Sequence, residues 1–166
     1  MQRSLSIPEW HQMVVAGSAP PVRIQLNGNS MFPLIRYQRD YVTIVPLNEP
    51  PVAGDIVLFS DPSRERYVMH RVWQVKDGKA LTWGDSCDKT DGWIPLEDIW
   101  GKALQVERGG KTIHMNAQRG ILWASFWHRT GKVYRFACRI KHGIVRRIWK
   151  IVHKMVDRCI TIRLPK

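Results

Sequence analysis

Asp55-Ile56-Val57-Leu58-Phe59, the turn residues Asp61-Pro62-Ser63, and then Tyr67-Val68-Met69-His70-Arg71-Val72-Trp73-Gln74-Val75 decide the fold. Two short apolar runs separated by turn-forming residues mark successive β-strands. The pattern extends in both directions. Val22-Arg23-Ile24-Gln25-Leu26 alternates apolar and polar side chains, as a half-buried strand does. Tyr41 to Val45 and Lys79 to Trp83 are further strand candidates. Trp100 to Arg108 and Lys111 to Met115 flank Gly109-Gly110 and predict a closing hairpin. Asn27-Gly28-Asn29, Pro50-Pro51, Ala53-Gly54-Asp55 and Asp77-Gly78 supply the turns between them. Short strands at this spacing predict a mainly-β body, barrel or sandwich, over residues 22–115.

Helical signals flank that body. Ser6-Ile7-Pro8-Glu9 combines a cap, a first-turn proline and a glutamate three residues after the serine, predicting a helix over about 7–16. Residues 1–21 thus form a helix and linker. After Asn116 the pattern turns helical again. Ile140, Ile144, Ile148, Ile151, Met155 and Cys159 recur at helical spacing, with Arg139, Arg146, Arg147, Lys150 and Lys154 elsewhere on the wheel. Residues 116–166 are expected to be a basic helical tail, with one amphipathic helix over 138–160.

Charge separates body from tail. The 166 residues carry a net charge of +12. Residues 1–117 hold 13 Lys and Arg against 13 Asp and Glu, whereas residues 118–166 hold 13 against a single acid, Asp157. A neutral body with a basic tail is expected to meet an anionic membrane surface or an acidic partner through Arg139, Arg146, Arg147, Lys150 and Lys154. Nucleic acid would attract the same charges, but no helix-turn-helix or stacking motif accompanies them. No apolar run approaches the roughly 18–20 residues of a membrane span, and the N-terminus lacks the apolar core of a signal peptide. The expectation is a cytoplasmic protein, peripheral to the inner membrane surface at most. Cys87, Cys138 and Cys159 form no CxxC pair, which argues against a zinc site and a disulfide framework.

Three segments carry candidate chemistry. Gly28-Asn29-Ser30-Met31-Phe32-Pro33 puts a serine in a tight turn, where its hydroxyl is exposed and backbone N–H groups can hold an oxyanion. A turn serine alone is ordinary. His70 lies in the apolar row Val68-His70-Val72, opposite Met69, Arg71 and Trp73. Most such histidines are core residues, yet its unperturbed pKa of about 6.5 makes it the best candidate base at neutral pH. Gly84-Asp85-Ser86-Cys87-Asp88-Lys89-Thr90-Asp91 places three acids in seven positions. Counting from Asp85, a calcium loop would need glycine at Thr90 and glutamate at Leu96, so that reading fails. Nothing in the three segments calls for a metal or cofactor.

In order along the chain stand Ser30-Met31-x-Pro33, Gly54-Asp55-Ile56-Val57-Leu58-Phe59, Val68-x-His70-Arg71-Val72, Gly84-Asp85 with Asp91 six residues on, and Glu97-Asp98-Ile99-x-Gly101-Lys102. This order resembles the S24/S26 serine peptidases, and among them the histidine-type signal peptidases and small anchorless bacterial members. The likeness covers about residues 22–108. It implies the β-body of signal peptidases and repressor peptidases. It also implies Ser30 as nucleophile, His70 as general base, Asp85 or Asp91 as the acid that orients it, and Gly28, Asn29, Met31 and Pro33 as the nucleophile turn. Departures exist. Gly28 stands where the family often has a serine, Arg39 where it has glycine, and Trp83 where lysine is frequent.

The expected activity is cleavage of an extended leader or precursor peptide. Its rival is a peptide-binding module that kept the fold and lost the chemistry. Gly28 favours the rival, and retention of Ser30, His70, Asp85 and Asp91 favours the enzyme.

Overall fold

The computed structural model describes residues 6–61, 66–139 and 151. The chain divides into two compact units, Met1–Ala124 and Ser125–Lys166. The first unit opens with helix α1, Ile7–Val15. Ser6 and Glu9 complete the expected capping box, each satisfying a backbone N–H of the other. Ser6→Ala is therefore expected to cost about 1 kcal/mol in urea unfolding. Trp10 is the buried residue of α1. Its indole N–H donates to Pro20 O at 2.7 Å, which ties the helix to the linker.

Among the described residues eight strands follow: β1 (Val22–Ile24), β2 (Asp40–Pro46), β3 (Ile56–Asp61), β4 (Arg66–Lys76), β5 (Lys79–Trp83), β6 (Gly92–Pro95), β7 (Ile99–Arg108) and β8 (Lys111–His114). They form one sheet in the order β1-β2-β7-β3-β4-β5-β6, with β8 also paired to β7. Every pairing is antiparallel. The mainly-β class and nearly all strand positions match the expectation. Two details differ. β1 stops at Ile24, before Gln25 and Leu26. β6 was not expected: four residues bounded by Gly92 and Pro95 carry too little periodicity, and the strand exists because it pairs with β5, Ala80 opposite Ile94.

The centre of the sheet is buried on both faces. Ile56, Val57, Leu58 and Phe59 of β3 are all buried. On one face Val57, Phe59, Val68, Val72, Ala80 and Ile99 form a core cluster, flanked by Leu47, Ile94 and Leu96. His70 belongs to this face, because it pairs with Val57 across β3 and β4. The other face of β4 presents Met69 and Arg71, both buried.

Helix α2, Ala117–Arg139, starts against the body. Gly54 has φ +102°, and a Cβ there would lie within 2 Å of the Ala117 carbonyl oxygen (1.8 Å). The β2–β3 turn thus needs glycine both for its backbone and for the close approach of α2. Among the described residues no helix is long and apolar enough to cross a membrane. The amphipathic helix expected over 138–160 falls almost wholly outside the described residues. So do the side chains of Arg139, Arg146, Arg147, Lys150 and Lys154.

Candidate active site

β4 places His70 in the core, 4% exposed. Its Nδ1 lies 2.6 Å from Asp91 Oδ2. An ionised carboxylate only accepts hydrogen bonds, so Nδ1 carries a proton and Nε2 is the nitrogen left for proton transfer. Asp91 is held in turn. Thr82 Oγ1 donates to the same oxygen at 2.9 Å, and the Asp91 N–H donates to Thr82 O at 2.9 Å. Thr82 is buried in β5. The end of the β5–β6 pairing therefore carries the carboxylate to the imidazole of β4.

Of the two acids left open by sequence, Asp91 meets His70 and Asp85 does not. Asp85 accepts two hydrogen bonds from Arg71, Nε to Oδ1 at 2.8 Å and Nη2 to Oδ2 at 2.7 Å. The role of orienting His70 is corrected accordingly: Asp85 neutralises a buried guanidinium. Arg71 also donates from Nη1 to Gly54 O at 2.8 Å. That group joins β4, the β2–β3 turn and the 84–91 loop. Sequence reasoning missed it, since an arginine in a strand normally points to water.

The serine turn is fixed by the same loop. The Ser86 N–H donates to Ser30 O at 2.8 Å, and Ser86 Oγ donates to Asn29 O. Met31 and Pro33 are buried beneath the turn, while Gly28 and Asn29 are exposed and Ser30 is half-buried. Gly84 lets the parts converge. A Cβ at Gly84 would lie 2.6 Å from Cys87 Sγ, 2.8 Å from His70 Nε2 and 2.9 Å from Ser30 O. The Ser30 backbone, Nε2 of His70 and the Cys87 sulfur thus border one small volume. Gly84→Ala is expected to displace the serine turn and lower activity at least tenfold, because one of the contacts is backbone and overpacking forces shifts.

The turn has a second anchor that sequence did not reveal. Buried Asp40 accepts from Arg108 Nε at 2.9 Å and Nη2 at 2.6 Å, and from the Arg36 N–H at 2.8 Å. Arg108 also donates to Leu34 O. Residues 34–40, downstream of Ser30, are closed by this pair, which spans 68 positions in the chain.

The electrostatics of His70 are unusual. Burial pushes its pKa down, but the hydrogen bond to Asp91, that carboxylate's charge and the neighbouring Cys87 side chain outweigh burial and raise it from 6.5 to about 9. The imidazole is mostly protonated at pH 7. It becomes a neutral acceptor only as pH approaches about 9. The stability linked to this proton is fully present below about 6.5 and is lost as pH rises through about 9. The reference value alone predicted a transition near 6.5.

Residues 1–166 match no family model. The chain is similar to the signal peptidase complex catalytic subunit SEC11C of Homo sapiens, Mus musculus and Canis lupus familiaris. In each case it is 31% identical over 109 residues, which cover 57% of this chain and 56% of the relative. It therefore spans about half the length of these curated relatives. The likeness supports a distant relationship to signal peptidase.

Proposed function

We propose that the chain is a serine endopeptidase resembling signal peptidase, which cleaves an extended leader or precursor peptide. The observation that carries this reading is the 2.6 Å contact between His70 Nδ1 and Asp91, with Nε2 and the Ser30 carbonyl oxygen both bordering the space beside Gly84. The similarity to the SEC11C subunits supports the same reaction class.

Ser30 Oγ attacks the scissile carbonyl carbon, and its proton passes to Nε2 of His70. The carbonyl π electrons move to oxygen, and backbone N–H groups of the Gly28–Ser30 turn stabilise that oxyanion. Collapse breaks the C–N bond, and the departing amine takes the proton from Nε2. Water then attacks the acyl-enzyme carbonyl, losing its proton to Nε2 of His70; collapse breaks the ester C–O bond, and Ser30 Oγ takes that proton back as the carboxylate product leaves. Asp91 holds Nδ1–H throughout and stabilises the imidazolium. An extended substrate is held through backbone hydrogen bonds by strand addition, with side-chain pockets setting preference.

A pH–rate profile tests the base. kcat/KM is expected to rise with pH and to level near pH 9, where His70 loses its proton. A plateau already reached at pH 7 would contradict the environment described for His70. The basic tail, with 13 Lys and Arg in residues 118–166, is proposed to bring the enzyme to an anionic membrane surface. Co-sedimentation with phosphatidylserine vesicles at low salt, weakened at high salt, is the expected result.

A further inference from the structure

Helix α2 begins beyond the stretch of chain that resembles the peptidases, yet its first turn reaches the groups that support the serine. Asn116 caps that turn. Its Oδ1 accepts from the Arg119 N–H at 3.0 Å, and its carbonyl accepts from the Gly120 N–H at 2.8 Å. Gly120 has no side chain, and a Cβ there would lie 2.5 Å from Arg71 Nη1, 3.6 Å from Arg71 Cζ and 2.8 Å from Gly54 O. Nη1 and Gly54 O are the two ends of one hydrogen bond, itself 2.8 Å long. The backbone of Gly120 therefore lies over that bond, and the Ala117 carbonyl three residues earlier lies against Gly54.

Neither end of the bond is free to move. The Gly54 N–H donates to Val72 O at 2.8 Å, and the Val72 N–H donates to Asp55 O at 2.8 Å, so the turn is pinned to β4. Nη1 ends a flexible side chain, but Nε and Nη2 of the same guanidinium are committed to Asp85. Shifting the guanidinium shifts Asp85. The next residue, Ser86, holds the serine turn through its N–H on Ser30 O and its hydroxyl on Asn29 O. The same loop ends at Asp91, on His70. Close-packed interiors transmit such displacements rather than absorb them.

We propose that Gly120 is a positioning residue for Ser30: the first turn of α2 seats the Arg71–Gly54 bond, and Asp85 and Ser86 relay that seat to the serine turn. The consequence for the reactivity of Ser30 rests on the peptidase reading above; the hold on the 84–91 loop does not.

The test uses the full chain and three measurements on each sample: fluorophosphonate labelling of Ser30 at pH 9, hydrogen exchange of the Ser86 amide, and urea unfolding. Gly120→Ala adds the one atom that the seat excludes. It is expected to label about tenfold more slowly, since small misplacements of reacting groups carry losses of that order or more. Its Ser86 amide is expected to exchange faster, because the bond to Ser30 O is loosened. Asn116→Ala uncaps the turn without adding an atom at the seat. It should move both readouts the same way by about twofold to threefold, and it decides the matter if Gly120→Ala does not fold. Gln118→Ala, on the exposed side of the same turn, is the control and should change neither. In an Arg71→Lys background, which removes Nη1 and Cζ, the further loss from Gly120→Ala should shrink to about threefold, because two groups in contact are not additive. Labelling and Ser86 exchange unmoved in folded Gly120→Ala and Asn116→Ala overturn the proposal, even where the urea midpoint falls, because a merely structural role would do no more than that. An equal loss in both Arg71 backgrounds overturns it too. Faster Ser86 exchange with no label on any sample supports the hold on the loop and counts against the peptidase reading alone.

Discussion

Replacing Asp91 with Asn is expected to lower kcat/KM by up to about 10⁴-fold while the fold survives. Asp91 Oδ2 accepts from both His70 Nδ1 and Thr82 Oγ1. An amide can still accept from Thr82, but only by turning its NH₂ toward the ring or by giving up one bond. Facing an NH₂ donor, the imidazole places its proton on Nε2, where it cannot receive the serine proton. Losing the carboxylate also removes a charge that raises the pKa of His70. The pH–rate profile of Asp91→Asn should therefore shift to lower pH as its ceiling falls. Steady-state kinetics with circular dichroism on the same sample separates chemistry from folding. Asp88→Asn is the control, since Asp88 is exposed and is expected to change the rate little. Equal, small losses at both positions would mean that the 84–91 loop is structural only.

Asp85→Ala is expected to act on stability, by about 3–5 kcal/mol in urea unfolding. The Arg71 and Asp85 side chains are 1% and 0% exposed. Removing the carboxylate leaves a guanidinium in the core with Gly54 O as its remaining acceptor. At side chains this buried, breaking the pair costs far more than breaking a surface ion pair. A double replacement, Arg71→Met with Asp85→Leu, removes both charges and should recover much of the loss, because paired deletion leaves no buried charge. Unfolding of Asp85→Ala at the wild-type urea concentration would show that the pair does not bear on stability.

The two substitutions separate acids that look alike in the sequence. Asp85 and Asp91 sit six positions apart in one polar loop, and neither spacing nor composition decides which one faces His70. Strand pairing decides it. Asp91 is carried to the ring by its backbone bond to Thr82, and Asp85 is turned toward Arg71. The face of β4 bearing Val68, His70 and Val72 was legible, because period-two alternation is a local property. The burial of Arg71 was not, since it depends on a carboxylate 14 residues away and on the approach of α2 beside Gly54. Asp40 and Arg108 stayed hidden for the same reason. Ser30, Met31 and Pro33 stood out through their order relative to His70, which a single motif does not supply. Cys87 gave no signal, because one half-buried cysteine in a polar loop has no pattern to read.

Reaction with a fluorophosphonate, followed by intact mass and peptide mapping, tests the serine-peptidase reading most directly. Ser30 Oγ attacks phosphorus and fluoride leaves, so the reagent reports a serine activated by a base without requiring the natural substrate. The expected result is one adduct per chain, on Ser30, formed faster as pH rises toward 9 and lost in Ser30→Ala and His70→Ala. A chain that forms no adduct at pH 9, or carries it on another residue, would contradict the assignment of Ser30, His70 and Asp91 and leave a peptide-binding module of the same fold.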